Sequence, residues 1–203
     1  MINRVIKFTV PSEQVSGFKA SFAIASAGAL QEPGFEQARL FVTRADSNTF
    51  FAYERLLDQD THAAMPHTQQ LFEFLASSGT QVEQFNLGET APASTLPANT
   101  DGGSDEFAVF FIFKLRAGFR DQVLEQFAEH IKQARQEPGN VVFDLYTIDG
   151  SDDTLMVYER WENEAALMEI HFSQPYAQKT GALLNDAVAG SLEDAMHFAT
   201  EIR

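Results

Sequence analysis

Gln31-Glu32-Pro33-Gly34 and Gln136-Glu137-Pro138-Gly139 are the same four residues, 105 positions apart. Working outward at that fixed shift, Tyr53-Glu54-Arg55 falls on Tyr158-Glu159-Arg160. Phe8, Phe22, Ala23, Ala29, Leu40 and Thr49 fall on Phe113, Phe127, Ala128, Ala134, Leu145 and Thr154. Without a gap, residues 8–55 share 13 of 48 positions with residues 113–160, where unrelated sequence gives roughly 3. The matches sit at a turn and at the edges of apolar runs, where a fold needs them. The 203 residues therefore read as two copies of one domain of about 100 residues each. The boundaries this predicts are a divergent copy at 1–88, a linker at 89–106 and a more typical copy at 107–203. Residues 89–106 are rich in Pro, Ala, Ser, Thr, Asn and Gly, which is linker composition.

Each copy reads β-α-β-β-α-β. In the second, residues 107–113 are apolar on both strand faces, the mark of a strand covered on two sides. Val123, Leu124, Phe127, Ala128, Ile131 and Ala134 recur at helical spacing, and Pro138-Gly139 stops that helix. The hydrophilic turn at 149–153 separates a strand at 141–148 from its hairpin partner at 154–161. Asn163 is placed to cap a short helix over 164–168. Helical periodicity resumes at 176–188 after Pro175, and 195–202 closes as the fourth strand. The first copy follows the same order with weaker signals. Strands are expected at 5–10, 36–44, 49–56 and 82–87, with helices after Pro11-Ser12 and over 68–76. A four-stranded sheet with helices on one face and apolar side chains on the other needs a second cover. The expected fold is α+β, two ferredoxin-like repeats whose antiparallel sheets pack into an intrachain pseudo-dimeric barrel.

Composition narrows the function. The net charge of −15 divides into −4 for residues 1–100 and −11 for residues 101–203. Such a surface repels phosphate backbones and anionic lipid, so neither nucleic acid nor membrane is an expected partner. With no cysteine, disulfides, thiolate catalysis and Cys-ligated metal sites are excluded. Met1-Ile2-Asn3-Arg4 runs into a strand without a signal-peptide stretch, and no apolar run approaches a membrane span; a cytoplasmic protein is expected. The 19 phenylalanines suit a core, and equally the walls of a pocket for a flat ligand.

The second copy resembles the antibiotic biosynthesis monooxygenase (ABM) family of dimeric α+β barrels. The resemblance rests on residues 137–145, Glu-Pro-Gly-Asn-Val-Val-Phe-Asp-Leu, and on 158–176, from Tyr158-Glu159-Arg160-Trp161 through the Ala-Leu helix to His171 and Pro175-Tyr176. Family members show a Pro-Gly turn, an acidic residue and a Trp ending strand three, then a helix leading to a His and a Pro. The first copy keeps Glu32-Pro33-Gly34, Tyr53-Glu54-Arg55 and, shifted by one, His67, but has Leu56 where the second has Trp161.

The resemblance implies oxidation of a quinol or polycyclic phenol by molecular oxygen without metal or flavin, the deprotonated substrate itself reducing oxygen. That chemistry needs a dry aromatic pocket, a base for the phenolic proton and a polar group to hold the anion. Candidate catalytic residues are His171 as base or hydrogen-bond partner, Trp161 as stacking surface, and Glu159, which could orient His171. A histidine titrates near neutrality. Phe111, Phe113, Phe143 and Tyr146 are candidate walls, with Asn140 as a polar substrate contact. His67, Tyr53 and Glu54 mark a possible second site. Each of these also has a purely structural reading as packing or as a satisfied edge carboxylate. His130 is expected on the exposed face of its helix. His62 and His67, five apart and about 140° around a helix, are not expected to chelate one metal; no metal or other cofactor is expected. Haem cleavage is disfavoured because Lys114-Leu115 stand where haem-degrading relatives carry an Asn. Two alternatives stay open: an enolising isomerase of the same superfamily, and a ligand-binding or stress-associated barrel without catalysis. The expected partners are a small aromatic molecule and O2, with further association of chains left open.

Overall fold

The computed structural model describes residues 1–90 and 106–202; most of the expected linker, residues 91–105, lies outside them. Among the described residues, eight strands and six α-helices follow in the order β1 (Ile2–Thr9), α1 (Val15–Ala29), β2 (Phe35–Thr43), β3 (Thr49–Leu56), α2 (Gln59–Ala63), α3 (Pro66–Ser78), β4 (Gln81–Glu89), β5 (Phe107–Lys114), α4 (Arg120–Ala134), β6 (Asn140–Ile148), β7 (Ser151–Trp161), α5 (Pro175–Ala187), α6 (Leu192–Ala195) and β8 (Met196–Ile202). The strand order is β1-β3-β2-β8-β5-β7-β6-β4 in a closed barrel, the α+β repeat architecture that the duplicated sequence implies.

The chain divides into two compact units, Met1–Leu87 with Glu201–Arg203, and Gly88–Thr200. In the first, β3 pairs antiparallel with β1 and β2, and β1 also pairs with β4. In the second, β7 pairs with β5 and β6, and β5 with β8. Both units thus share one strand order.

The repeated Glu-Pro-Gly turn has a local cause. Gly34 and Gly139 sit at φ 84° and 82°, in the left-handed region that glycine enters without steric cost. A Cβ on Gly139 would lie 2.8 Å from the Ala166 Cβ, and one on Gly34 2.8 Å from Leu57 Cδ1.

The period-2 alternation of strands sorts the second unit's side chains into two layers. Phe107, Val109, Phe111 and Phe113 of β5 share a core with Leu155, Val157 and Trp161 of β7, Phe143 and Leu145 of β6, and Val123, Phe127 and Ile131 of α4. Ala108, Phe110, Val142, Tyr146, Met156 and Tyr158 alternate with them and are buried as well. Strands apolar on both faces are therefore buried on both. In the first unit Phe8, Phe18, Phe22 and Phe50 form the corresponding core, with Phe18 4.9 Å from both Phe8 and Phe50.

Local structure differs from the sequence expectation at several points, two of them beside the candidate sites. The short helix after Asn163 is a π-helical turn at Ala166–Ile170, followed by a 3-10 turn at His171–Ser173. Asn163 caps it, its Oδ1 accepting from the Ala166 N–H at 2.9 Å. In the first unit a helix precedes the expected one: Asp58 caps α2 by accepting from the N–H groups of Asp60 and Thr61. Met65, with ψ 142°, then breaks the chain direction before Pro66 opens α3, as the residue before a proline is driven out of the helical region. Among the described residues no helix is long and apolar enough to cross a membrane.

Candidate active site

In the second unit a cavity of about 120 Å³ lies between the sheet and helices α4 and α5. Phe111, Phe143, Val157 and Glu159 line it from the strands, Phe127 and His130 from α4, and Ala177, Thr180, Gly181 and Leu184 from α5. His171 and Phe172 close it on the side of the π-helical turn, and Leu192 and Met196 on another. Its lining includes neither lysine nor arginine.

Glu159 carries the clearest electrostatic signature. Burial raises its pKa from 4.5 to about 7, the nearby Glu137 charge adds to the rise, and a hydrogen bond from Trp161 opposes it. That bond is geometric as well: Trp161 Nε1–H donates to Glu159 Oε2 at 2.9 Å, both residues being buried. The first copy shows what the second has given up. There Glu54 stands opposite Arg4 in the β1–β3 register, and the two form an ion pair at 2.5 Å. At the matching register position of β5 and β7, Glu159 faces Val109. Replacing the cross-strand cation by valine strips the carboxylate of its counter-charge, and the indole N–H at the position of Leu56 only partly compensates. An acid that titrates near neutrality on a cavity wall is suited to proton transfer.

His171 is held as a hydrogen-bond partner on the cavity wall. The π-helical turn packs its ring 4.7 Å from Trp161 and 5.4 Å from Phe143. Its Nδ1 lies 3.0 Å from Glu137 Oε2 and its Nε2 3.2 Å from His130 Nε2. His130 Nδ1 in turn is 2.7 Å from Thr180 Oγ1, which also accepts from Gln126 Nε2 at 3.1 Å. Burial lowers both histidines. His130 falls to about 3, with His171 adding to the effect, and His171 falls despite the opposing pull of Glu137. With both rings neutral, the His171–Glu137 contact sets the proton order, and the single Thr180 hydroxyl proton is shared between His130 Nδ1 and the Tyr176 carbonyl 3.0 Å away. His171 Nδ1–H donates to Glu137, His130 Nε2–H donates to His171 Nε2, and His130 Nδ1 is left as an acceptor facing the Thr180 hydroxyl. Both ring nitrogens of His171 are thereby engaged. Glu137 also accepts from the Tyr176 hydroxyl, whose pKa is raised by burial and then by Glu137.

The candidate residues therefore separate. His171, Glu159, Phe111 and Phe143 line the cavity; Phe113 stacks behind Phe111 at 4.4 Å; Trp161 holds Glu159 and packs on His171. Glu137, not Glu159, is the carboxylate that orients His171. Tyr146 lies on the opposite sheet face, its hydroxyl donating to Asp144 Oδ2 at 3.1 Å, because positions three apart on a strand point to opposite sides. Asn140 donates to the Val142 carbonyl at 3.2 Å at the head of β6. His130 is buried, not on an exposed helix face. In the first unit, Glu54 pairs with Arg4, Tyr53 points to Asn3 Oδ1 at 3.5 Å, and His67 Nε2 lies 2.6 Å from Glu32 Oε1. Tyr53 and Glu54, adjacent on β3, point to opposite faces of the sheet. His130, Glu137 and Thr180 belong to this hydrogen-bond network without being among the sequence-based candidates. The signal for His130 was its place in the 123–127–130–134 helical stripe, and for Glu137 its repetition as Glu32.

Comparison with known proteins agrees with this architecture. A crystal structure described as a putative monooxygenase from Fusobacterium nucleatum superposes with a TM-score of 0.84 at 13% identity, covering 100% of this chain and 92% of that one. Another so described, from Lactobacillus acidophilus, gives 0.78 at 13% identity, covering 100% and 93%. An anthrone oxidase-like protein gives 0.69 at 14%, covering 100% and 92%. At these identities the likeness is one of fold. An uncharacterised protein from Synechocystis sp. is 27% identical over 85 residues, 42% of this chain, and the match spans 57% of that relative's length. The family description "Antibiotic biosynthesis monooxygenase" matches residues 1–73 and again 107–183, once in each repeat, and the chain belongs to that family.

Proposed function

We propose that the second copy is an oxidoreductase site that oxidises a single-ring phenol or quinol with molecular oxygen, without a metal or flavin, and that the first copy is its structural partner. The observation that carries this reading is Glu159, a buried carboxyl on an aromatic cavity wall with a pKa near 7 and no cross-strand cation. Glu159 takes the phenolic proton, and the resulting anion passes one electron to O2. The substrate radical and superoxide combine at a ring carbon, and loss of water leaves a quinone: one phenol and one O2 give one quinone and one water. The low polarity of the lining strengthens the driving force for discharging the anion.

The size of the cavity supports one ring rather than several. An apolar cavity of about 150 Å³ takes up benzene, close to the 120 Å³ found here. A fused polycycle would require Phe172 and its neighbours to move. The lack of a cationic lining disfavours the phosphorylated substrate of an enolising isomerase.

The test is oxygen uptake with monocyclic phenols and quinols, with and without chelator. Chelator-insensitive uptake that disappears in Glu159→Gln and survives in Glu54→Gln supports the reading. Uptake unaffected by Glu159→Gln overturns the role of Glu159. Tight binding without turnover across the panel would favour the non-catalytic alternative.

A further inference from the structure

The first copy holds a three-residue constellation that the chemistry of the second leaves unused. His62 Nδ1 lies 3.1 Å from Glu32 Oε1, and His67 Nε2 lies 2.6 Å from the same oxygen. The ligand-capable atoms of Glu32, His62 and His67 all fall within 4.8 Å of one another. We infer that Glu32, His62 and His67 form a binding site for a divalent first-row transition ion, with a fourth position open to water.

The convergence depends on the helix break. On one continuous helix, side chains five apart diverge by about 140°. Here His62 belongs to α2 and His67 to the first turn of α3, with Met65-Pro66 between them, so the expectation that the two cannot share a metal does not hold. Glu32 comes from the repeated turn between α1 and β2 and supplies the anionic ligand.

The surroundings are those of a built site. His62 is buried, with Phe35 packed 4.8 Å from its ring. Ligation through Nδ1 requires its proton on Nε2, where Thr68 Oγ1 lies 3.5 Å away, an outer-shell partner of the kind that orients ligating histidines. His67 lies so close over α1 that a Cβ on Gly28 would meet its ring at 2.5 Å; glycine there makes room for the imidazole. At the positions equivalent to His62 and Gly28 the second copy has Leu167 and Gln133, so this feature belongs to the first copy alone.

Two imidazoles and one carboxylate are borderline ligands that suit Zn(II), Co(II), Fe(II) or Ni(II) over Mg(II) or Ca(II). Bonds of about 2.0–2.1 Å place tetrahedral ligand atoms about 3.3 Å apart, so small side-chain shifts suffice. His67 and Glu32 are partly accessible, which gives the ion an entry path and a water ligand.

The test uses the untagged full chain, stripped with chelator and titrated with Co(II), then Zn(II). Binding of one ion per chain with visible Co(II) absorption is expected, lost on displacement by Zn(II). Affinity should fall at least tenfold in His67→Asn and in Glu32→Gln, and about tenfold in Thr68→Val, while His171→Asn binds like the wild type. In the wild type, Zn(II) should also shift the 15N resonances of His62 Nδ1 and His67 Nε2, a readout that needs no variant. Failure of the folded chain to bind either ion, or binding that ignores His67→Asn and leaves those nitrogens unmoved, would show that the three groups are only hydrogen-bonded to one another. Neither outcome bears on oxygen uptake by the second copy.

Discussion

Replacing Glu159 by glutamine should stabilise the protein while abolishing its activity. Burial holds the Glu159 proton up to about pH 7, against 4.5 for an ordinary glutamic acid. Between those values the folded chain binds more protons than the unfolded one, so stability falls as pH rises through the window and stays low above it. The displacement corresponds to about 3 kcal/mol at pH 8, because an ionised carboxylate is then kept in an apolar site with a valine across the strand. A glutamine at this position would preserve the acceptor for Trp161 Nε1–H without carrying the charge. Thermal or urea unfolding of Glu159→Gln should therefore exceed wild type by about 3 kcal/mol at pH 8, or about 6–12 °C in Tm for a chain of this size. The gain should vanish near pH 4.5, where both side chains are neutral. A variant less stable than wild type at pH 8, or a difference independent of pH, would refute the reasoning.

Other perturbations follow from the same geometry. Arg4→Met should destabilise the first unit by about 3–5 kcal/mol, since it leaves the buried Glu54 without its cation; denaturant melts would register it, and a near-neutral effect would contradict the pairing. Gly139→Ala should cost about 1–3 kcal/mol, as φ 82° and a 2.8 Å approach to Ala166 both disfavour a Cβ; it should also lower oxygen uptake by shifting the turn that carries Glu137. His130→Phe preserves the stacking with Phe127 and Phe143 but cuts the chain of hydrogen bonds to His171. It should reduce kcat while leaving the pH-dependence governed by Glu159 in place. A monocyclic phenol at 100 times its Kd should protect the second unit by about 2.7 kcal/mol, and a tricyclic analogue should protect less.

Much of the fold was legible in the sequence because the two copies check each other: strands, turns and the Glu-Pro-Gly glycines recur where their geometry recurs. The site was legible only in part. Trp161, Glu159 and His171 were readable as a group, but their wiring was not. The carboxylate that holds His171 comes from Glu137, 34 residues earlier in the chain, and no local pattern joins the two. Tyr146 and Phe143 are both aromatic residues of β6, but their spacing of three puts them on opposite faces, and strand alternation alone separates them. Helical spacing alone sets His62 and His67 about 140° apart, whereas Met65-Pro66 marks the break that brings them together. The ionisation of Glu159 depends on what faces it across the sheet. That became visible only when strand register set Val109 against it and Arg4 against its twin.

The most direct test is to titrate the Glu159 carboxyl itself, by difference infrared spectroscopy of wild type against Glu159→Gln, alongside the pH profile of oxygen uptake. A buried acid without a cross-strand cation predicts a carboxyl band that titrates near pH 7 and a kcat/KM that rises through the same midpoint, both absent from the variant. A Glu159 that ionises in the ordinary carboxylate range, or an unchanged pH profile in Glu159→Gln, would contradict it.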